Sequence, residues 1–447
     1  MKKPWENGPL APMKNGRYLQ TGDVPFFWLG DTAWLLLHRL TREEIQTYLR
    51  NRAEKGFNVI QVSLVHWLPA ENIYGRSAFL ENDLAKPDTS GPDSYWDLLG
   101  FAFDEAAKLG LYLGVLPVWG SNLVKGESLT VENVTPYFTF LTGRYGKRPN
   151  LIWILGGDVR GDVHPEVWER AAELIRRETP QRLLCYHPFG RTDSSDWFGE
   201  AGWPDIHMFQ SGHRRYDQQS LGSWDDLNQR QQWFGEDNWR YVERDLSLTP
   251  LRPTLDAEPS YEQIPQGLHD GSEPHWQDHD VRRYAYWSVF AGACGFTYGS
   301  NAVMQFLKPG FEPSFSAREF WDEALHHPGS SQVGFLRDLM EQLPFSTAHA
   351  AQHLLPDGSG ERYDRIAVLA GEGFLLCYDY TGRPFRLMLQ MPGFSTGDAD
   401  AWWFDPSQGK KSYLGSFPLG KTHLFTPARR ALGQNDVVLL LCPRQAK

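Results

Sequence analysis

Residues 150–190 read NLIWILGGDVRGDVHPEVWERAAELIRRETPQRLLCYHPFG, and this stretch decides the fold. The apolar run NLIWILGGD (150–158) predicts a buried strand that stops at two glycines. PEVWERAAELIRRETP (165–180) carries its apolar residues at helical spacing, and RLLCYHPFG (182–190) is a second apolar run. The unit is strand, helix, strand. Two parallel strands joined by a helix need a sheet covered on both faces, or a sheet closed on itself.

Working outward, the pattern repeats. Upstream, VPFFWLG (24–30), FNVIQVSLV (57–65) and LYLGVLPVWG (111–120) are strand-like. They alternate with the helices TREEIQTYLRNRAEKG (41–56), SYWDLLGFAFDEAAKLG (94–110) and VENVTPYFTFLTGRYG (131–146). Thr41 with Glu44 three residues on forms a capping box, and Gly56 ends the first helix. Downstream come DIHMFQSGH (205–213), PTLDAEPSYE (253–262), the helix DHDVRRYAYWSVFAGACG (278–295) and FTYGS (296–300). Eight strand–helix units predict a closed (β/α)8 TIM barrel of the α/β class, and the first strand lacks the GxGxxG of an open dinucleotide-binding sheet.

The barrel is expected to span 1–344, opening with a short hairpin turned at Asn15-Gly16 and at Thr21-Gly22-Asp23 that caps the barrel floor. Beyond it, RIAVLAGEGFLLCYDYTGRPFRLMLQM and DVVLLLCP alternate without helical period, so 345–447 is expected to be a small antiparallel β-sandwich.

Composition narrows the function. The net charge of −11 and the absence of a basic run argue against nucleic acid. No stretch is long and apolar enough to span a membrane, and no apolar run follows Lys2 and Lys3 as in a leader peptide. Cys185, Cys294, Cys377 and Cys442 stand singly in apolar or β-rich runs, which suits a reduced, cytoplasmic protein. Aromatic residues reach 14%, with 18 tryptophans; core filling accounts for most of them, and the surplus suits stacking on sugar rings.

In such a barrel the reacting groups sit where strands end at the C-terminal face. Those positions hold Asp31, His66, Trp67, Trp119, Asp158, His187, Gln210, His213, Glu258 and Tyr298. Asp158 closes the fourth strand and Glu258 the seventh, across the mouth from each other. Two carboxyl groups so placed are what glycosidic bond cleavage needs. A GGD turn is also an ordinary helix cap, whereas a carboxylate ending a buried strand is costly without a partner or a function. Asp256, two residues before Glu258 and on the same strand face, is the competitor for its role. Glu262 is read as pairing with a helix N-terminus or an arginine.

His66, His187 and His213 are either satisfied structural histidines or partners for sugar hydroxyls; Asp31, Gln210 and Tyr298 are candidate hydroxyl binders, and Tyr298 could also orient Glu258. Trp34, Trp67 and Trp119 are candidate pocket walls, and Trp119 and Trp153 are expected to keep the mouth apolar enough to hold Asp158 protonated. HxH, HExxH and GxSxG are absent, so neither a metal centre nor a serine nucleophile is expected, and no cofactor. Besides a glycosidase, a carbohydrate-binding barrel without chemistry and a metal-dependent barrel hydrolase remain open at this stage.

Together, FFWLGDTAWLLLHRL, RPNLIWILGGDVRGD, HMFQSGH, PTLDAEPSYE and GFTYGS resemble the apiosidase-like (DUF4038) glycoside hydrolases of family GH140. The tail resembles the β-domain, labelled collagen-binding, that follows that barrel. The resemblance implies a retaining, exo-acting glycosidase that releases apiose from a pectin side chain, with an Asp acid/base after the fourth strand and a Glu nucleophile after the seventh. Carried over by motif, these are Asp158 and Glu258. Gly157-Asp158 departs from the Asn-Glu of more distant barrel glycosidases, so their substrates do not transfer.

Overall fold

The computed structural model describes residues 2–218, 235–428 and 433–444. Eight parallel strands form the barrel: β1 (Trp28–Thr32), β2 (Val59–Ser63), β3 (Tyr112–Leu116), β4 (Leu151–Gly156), β5 (Leu184–His187), β6 (His207–Gln210), β7 (Thr254–Asp256) and β8 (Gly295–Tyr298). Six of them form one curled sheet in the order β8-β1-β2-β3-β4-β5, and β6 pairs β7. The remaining seams are joined by backbone bonds, from Asp205 N–H to Leu184 O at 2.8 Å, and from Cys294 N–H to Thr254 O at 3.0 Å with Glu262 N–H to Gly299 O at 2.9 Å further along.

Side-chain alternation sorts each strand into two layers. Ile152 and Ile154 of β4 fill the barrel interior, while Trp153 and Leu155 face the helices. The helix layer contains α1 (Arg42–Glu54), α2 (Tyr95–Leu109), α3 (Val131–Tyr145), α4 (Pro165–Glu178), α5 (Asn238–Asp245), α6 (Asp278–Ala291) and α7 (Pro328–Glu341). The Thr41–Glu44 capping box forms as read: Glu44 N–H donates to Thr41 Oγ1 at 3.3 Å and Thr41 N–H to Glu44 Oε2 at 2.8 Å.

Before β1, strands Leu10–Pro12, Leu19–Thr21 and Val24–Phe26 form an antiparallel sheet. Trp5 and Phe26 pack edge-on against Tyr112, the first residue of β3, so this sheet lies at the strand-start end, away from the reacting mouth. After the barrel, six antiparallel strands form a sheet in the order 349–350, 366–371, 374–379, 437–443, 398–405, 410–418, accompanied by a two-stranded sheet of 385–388 with 422–425.

One face of the larger sheet packs on the two-stranded one through Val368, Leu375, Leu387 and Phe425. The opposite face, through Leu369, Leu376, Tyr378 and Leu440, is continuous with the barrel cluster containing Tyr284, Trp287 and Phe290 of α6. Tyr286 stacks on Tyr378 with centroids 4.7 Å apart, and buried Arg282 forms an ion pair with Asp436 at 2.7 Å. Among the described residues, no helix is long and apolar enough to cross a membrane.

Candidate active site

The end of β4 is built for close approach. Gly156, Gly157 and Asp158 take φ of 90°, 100° and 49°, a left-handed run that glycine enters freely and Asp tolerates. A Cβ on Gly156 would lie 2.2 Å from His187 O, and one on Gly157 would lie 3.1 Å from the Trp119 ring. The two glycines therefore let this turn settle against β5 and the loop after β3. They deliver Asp158 to the mouth.

Glu258 lies past the last paired residue of β7. Its segment stays tied to the end of β6 by Ala257 N–H to Phe209 O at 2.8 Å and Gly212 N–H to Glu258 O at 3.1 Å. One carboxylate oxygen each from Asp158 and Glu258, with one ring nitrogen of His187, all lie within 4.8 Å of one another. The two acids face one space.

Their environments differ. Asp158 is partly exposed, but its Oδ1 is shielded and has no hydrogen-bond partner. Loss of water, then the charge of Glu258, pushes its carboxyl up to about 7 against the opposing pull of His187 and of the Gln210 amide. For Glu258, burial also raises the carboxyl, but His187 and His213 outweigh it and hold the group at about 2. His213 Nδ1 accepts from Tyr261 N–H at 3.4 Å, so the ring proton sits on Nε2, which donates to Glu258 Oε1 at 3.3 Å. The His213 carbonyl is itself held by Trp276 Nε1–H at 3.1 Å and Gly267 N–H at 2.6 Å. His187 Nε2 stands 3.3 Å from Glu258 Oε2 without hydrogen-bond alignment.

Aromatic rings surround the pair. Trp34 lies 5.0 Å from Trp119 and 5.5 Å from His187, and its Nε1–H donates to Tyr261 Oη at 3.2 Å. His66 stacks on Trp119 at 4.7 Å; burial drives its imidazole down to about 3, so it is a neutral ring at working pH. Trp67 stacks on His38 at 4.8 Å and is 38% exposed, the one exposed tryptophan among the described residues.

Several expectations need correction. Asp31 and Tyr298 do not line the mouth. They are register partners, so they share a face, and that face meets the helices. Asp31 Oδ2 accepts from Arg52 Nε and Tyr48 Oη, each at 2.6 Å, with every partner buried. Tyr298 Oη donates to Glu262 Oε2 at 2.6 Å, not to Glu258. Glu262 also accepts Gly329 N–H at 3.2 Å in the first turn of α7, the helix N-terminus anticipated for it. Trp153 faces the helices too, its Nε1–H donating to Thr179 Oγ1 at 3.1 Å, so it does not tune Asp158. Asp256 does not share the Glu258 face, because the ladder ends there. It is tied to Ser211 Oγ at 2.7 Å and to Asn238 of α5 at 3.2 Å.

The Asp31–Arg52 pair carries a stability prediction. Arg52→Met should strand a buried carboxylate and cost about 3–5 kcal/mol, read as a lower urea midpoint at unchanged slope. A loss below about 1 kcal/mol would mean that Asp31 finds another partner.

Tyr261 was missed by sequence reading, although it lies three residues after Glu258 in the same motif. His38, the support beneath Trp67, gave no sequence signal. The Asp158–His187–Glu258 group contains donors that could hold a metal ion. A cleft of about 400 Å³ lies in the β-domain, lined by His349, His353, Met391 and Phe394 among others, but no carboxylate lines it.

A (β/α)8 barrel with two facing carboxyls of opposed acidity at the ends of β4 and β7 is the architecture of a glycoside hydrolase. A family model described as "Apiosidase-like, catalytic domain" matches residues 13–347, and the chain belongs to that family. A second model, "Putative collagen-binding domain of a collagenase", matches residues 350–442. A solved structure described as a glycoside hydrolase is similar at 42% identity and TM-score 0.93, covering 99% of this chain and 98% of that one. A glycoside hydrolase family 5 structure from Bacteroides vulgatus ATCC 8482 is similar at 41% identity and TM-score 0.93, covering 99% and 95%. Comparison with curated proteins finds no match.

Proposed function

We infer that the chain is a retaining glycosidase that removes a terminal sugar, with Asp158 as acid/base and Glu258 as nucleophile. The observation that carries this reading is the approach of the two carboxylate oxygens to within 4.8 Å. Retaining enzymes hold their carboxyl groups about 5–5.5 Å apart, whereas inverting ones leave about 6.5–9.5 Å for a water. In the first step Asp158 gives its proton to the glycosidic oxygen while Glu258 attacks the anomeric carbon. In the second, Asp158 takes a proton from water as that water displaces Glu258.

The protonation states suit these roles. Asp158, at about 7, keeps its proton below neutral pH and is about half protonated at pH 7; Glu258, at about 2, is ionised throughout that range. Trp34, Trp119, Tyr261 and neutral His66 supply flat apolar faces and uncharged donors for one sugar ring. That enclosure supports exo action, and the family's name supports apiose as the sugar. His213 and His187 hold the nucleophile in this reading, and Gln210 steadies the acid. Four unpaired cysteines, three of them buried, support a cytoplasmic setting.

The pH dependence follows with its sign. The acid must be protonated to act, so kcat/KM on an aryl glycoside should fall as pH rises through about 7. The acid limb should lie far lower, because Glu258 ionises near 2. The mechanism itself is tested by NMR of the first-formed sugar. Retention of the anomeric configuration is expected; inversion would overturn the double displacement.

A further inference from the structure

We propose that Asp158, His187 and Glu258 form a zinc-binding site, and that zinc bound there blocks the catalytic pair. The inhibitory half of this proposal rests on the glycosidase reading; the metal site does not.

Three observations carry it. First, one oxygen from each carboxylate and one His187 nitrogen lie mutually within 4.8 Å. Second, Asp158 Oδ1, Glu258 Oε2 and both His187 ring nitrogens are buried without an aligned hydrogen bond, His187 Nε2 and Glu258 Oε2 facing each other only as an ion pair, and His187 is wholly inaccessible. Buried polar atoms of this kind are costly unless something satisfies them. Third, His187 Nε2 and Glu258 Oε2 are 3.3 Å apart yet not aligned as a hydrogen bond. With zinc–ligand distances of about 2.0–2.2 Å, tetrahedral geometry sets neighbouring ligand atoms about 3.3–3.6 Å apart, so this contact already has the length of one edge.

The donor set selects the ion. An imidazole with two carboxylates suits zinc, whereas magnesium and calcium favour oxygen ligands alone. Two carboxylates also balance the ion's charge where water is scarce. Three protein ligands leave a fourth position open to water or a sugar hydroxyl. Zinc there would occupy the oxygens through which Asp158 passes its proton and Glu258 attacks, so it should compete with substrate.

Calorimetry on the full chain, stripped with EDTA, dialysed and titrated with zinc chloride, tests the site. One zinc per chain is expected, with magnesium chloride giving no heat, and with binding about tenfold or more weaker in both His187→Ala and Asp158→Asn. Using two variants guards against one that fails to fold. Absence of zinc binding, or binding that both variants retain, would overturn the site. On p-nitrophenyl glycosides the stripped enzyme should turn over, and added zinc should raise KM. Activity that requires zinc would overturn the inhibitory role. A stripped protein inactive on every glycoside that still binds zinc would overturn the glycosidase reading and leave the metal site standing.

Discussion

Glu258→Gln should lower kcat by about four to six orders of magnitude, the scale seen when a catalytic nucleophile is removed. The amide is nearly isosteric, and His213 Nε2–H at 3.3 Å still finds an oxygen, so folding should be preserved. An amide cannot attack the anomeric carbon. Circular dichroism and Tm would show an intact barrel beside lost turnover. Glu258→Ala supplied with azide should regain activity and form a glycosyl azide of inverted configuration, because the anion enters where the carboxylate stood. Near-normal turnover by Glu258→Gln would remove this residue from the chemistry.

The second large effect belongs to Asp158. Asp158→Asn should reduce kcat by about 10²–10⁴-fold on glycosides with poor leaving groups, the usual worth of general acid catalysis, and far less on a dinitrophenyl glycoside that departs unaided. The alkaline limb near pH 7 should disappear with it. Stability should move the other way. The folded state raises this carboxyl from 3.8 to about 7, so between those values the native chain keeps a proton that the unfolded chain has released. Stability therefore declines as pH rises across that window, and above it the native state carries the full cost of a shielded charge. The asparagine variant avoids that cost and should melt higher than wild type at pH 8. A lower Tm would mean that the carboxylate is better satisfied than its shielded Oδ1 suggests.

The barrel was legible because its strands are short apolar runs, most of them stopped by glycine, proline or acid, and five of the eight are followed in sequence by a capped or periodic helix. Asp158 and Glu258 were legible because ionisable groups at the ends of buried strands need a reason. What the strand ends do not reveal is which way each residue points. Asp31 looked like Asp158 in sequence, and only the arrival of Arg52 from α1 shows that it serves the helix layer. Trp153 was readable in principle: Ile152 and Ile154 flank it, and strict alternation turns it outward. Pairing between His213 and Glu258, 45 residues apart on neighbouring loops, has no local signature. Tyr298 and Glu262 likewise meet only once α7 has docked.

The β-domain sheet and α6 share one apolar cluster, with Arg282 and Asp436 buried at their seam. This tail is therefore no detachable accessory. A gene truncated before it would expose an oily flank on the barrel and yield aggregates, and the tail spliced onto another enzyme would carry half an interface with no mate. Heating should melt both parts together, in a single calorimetric peak, so that evolution can exchange them only as a unit.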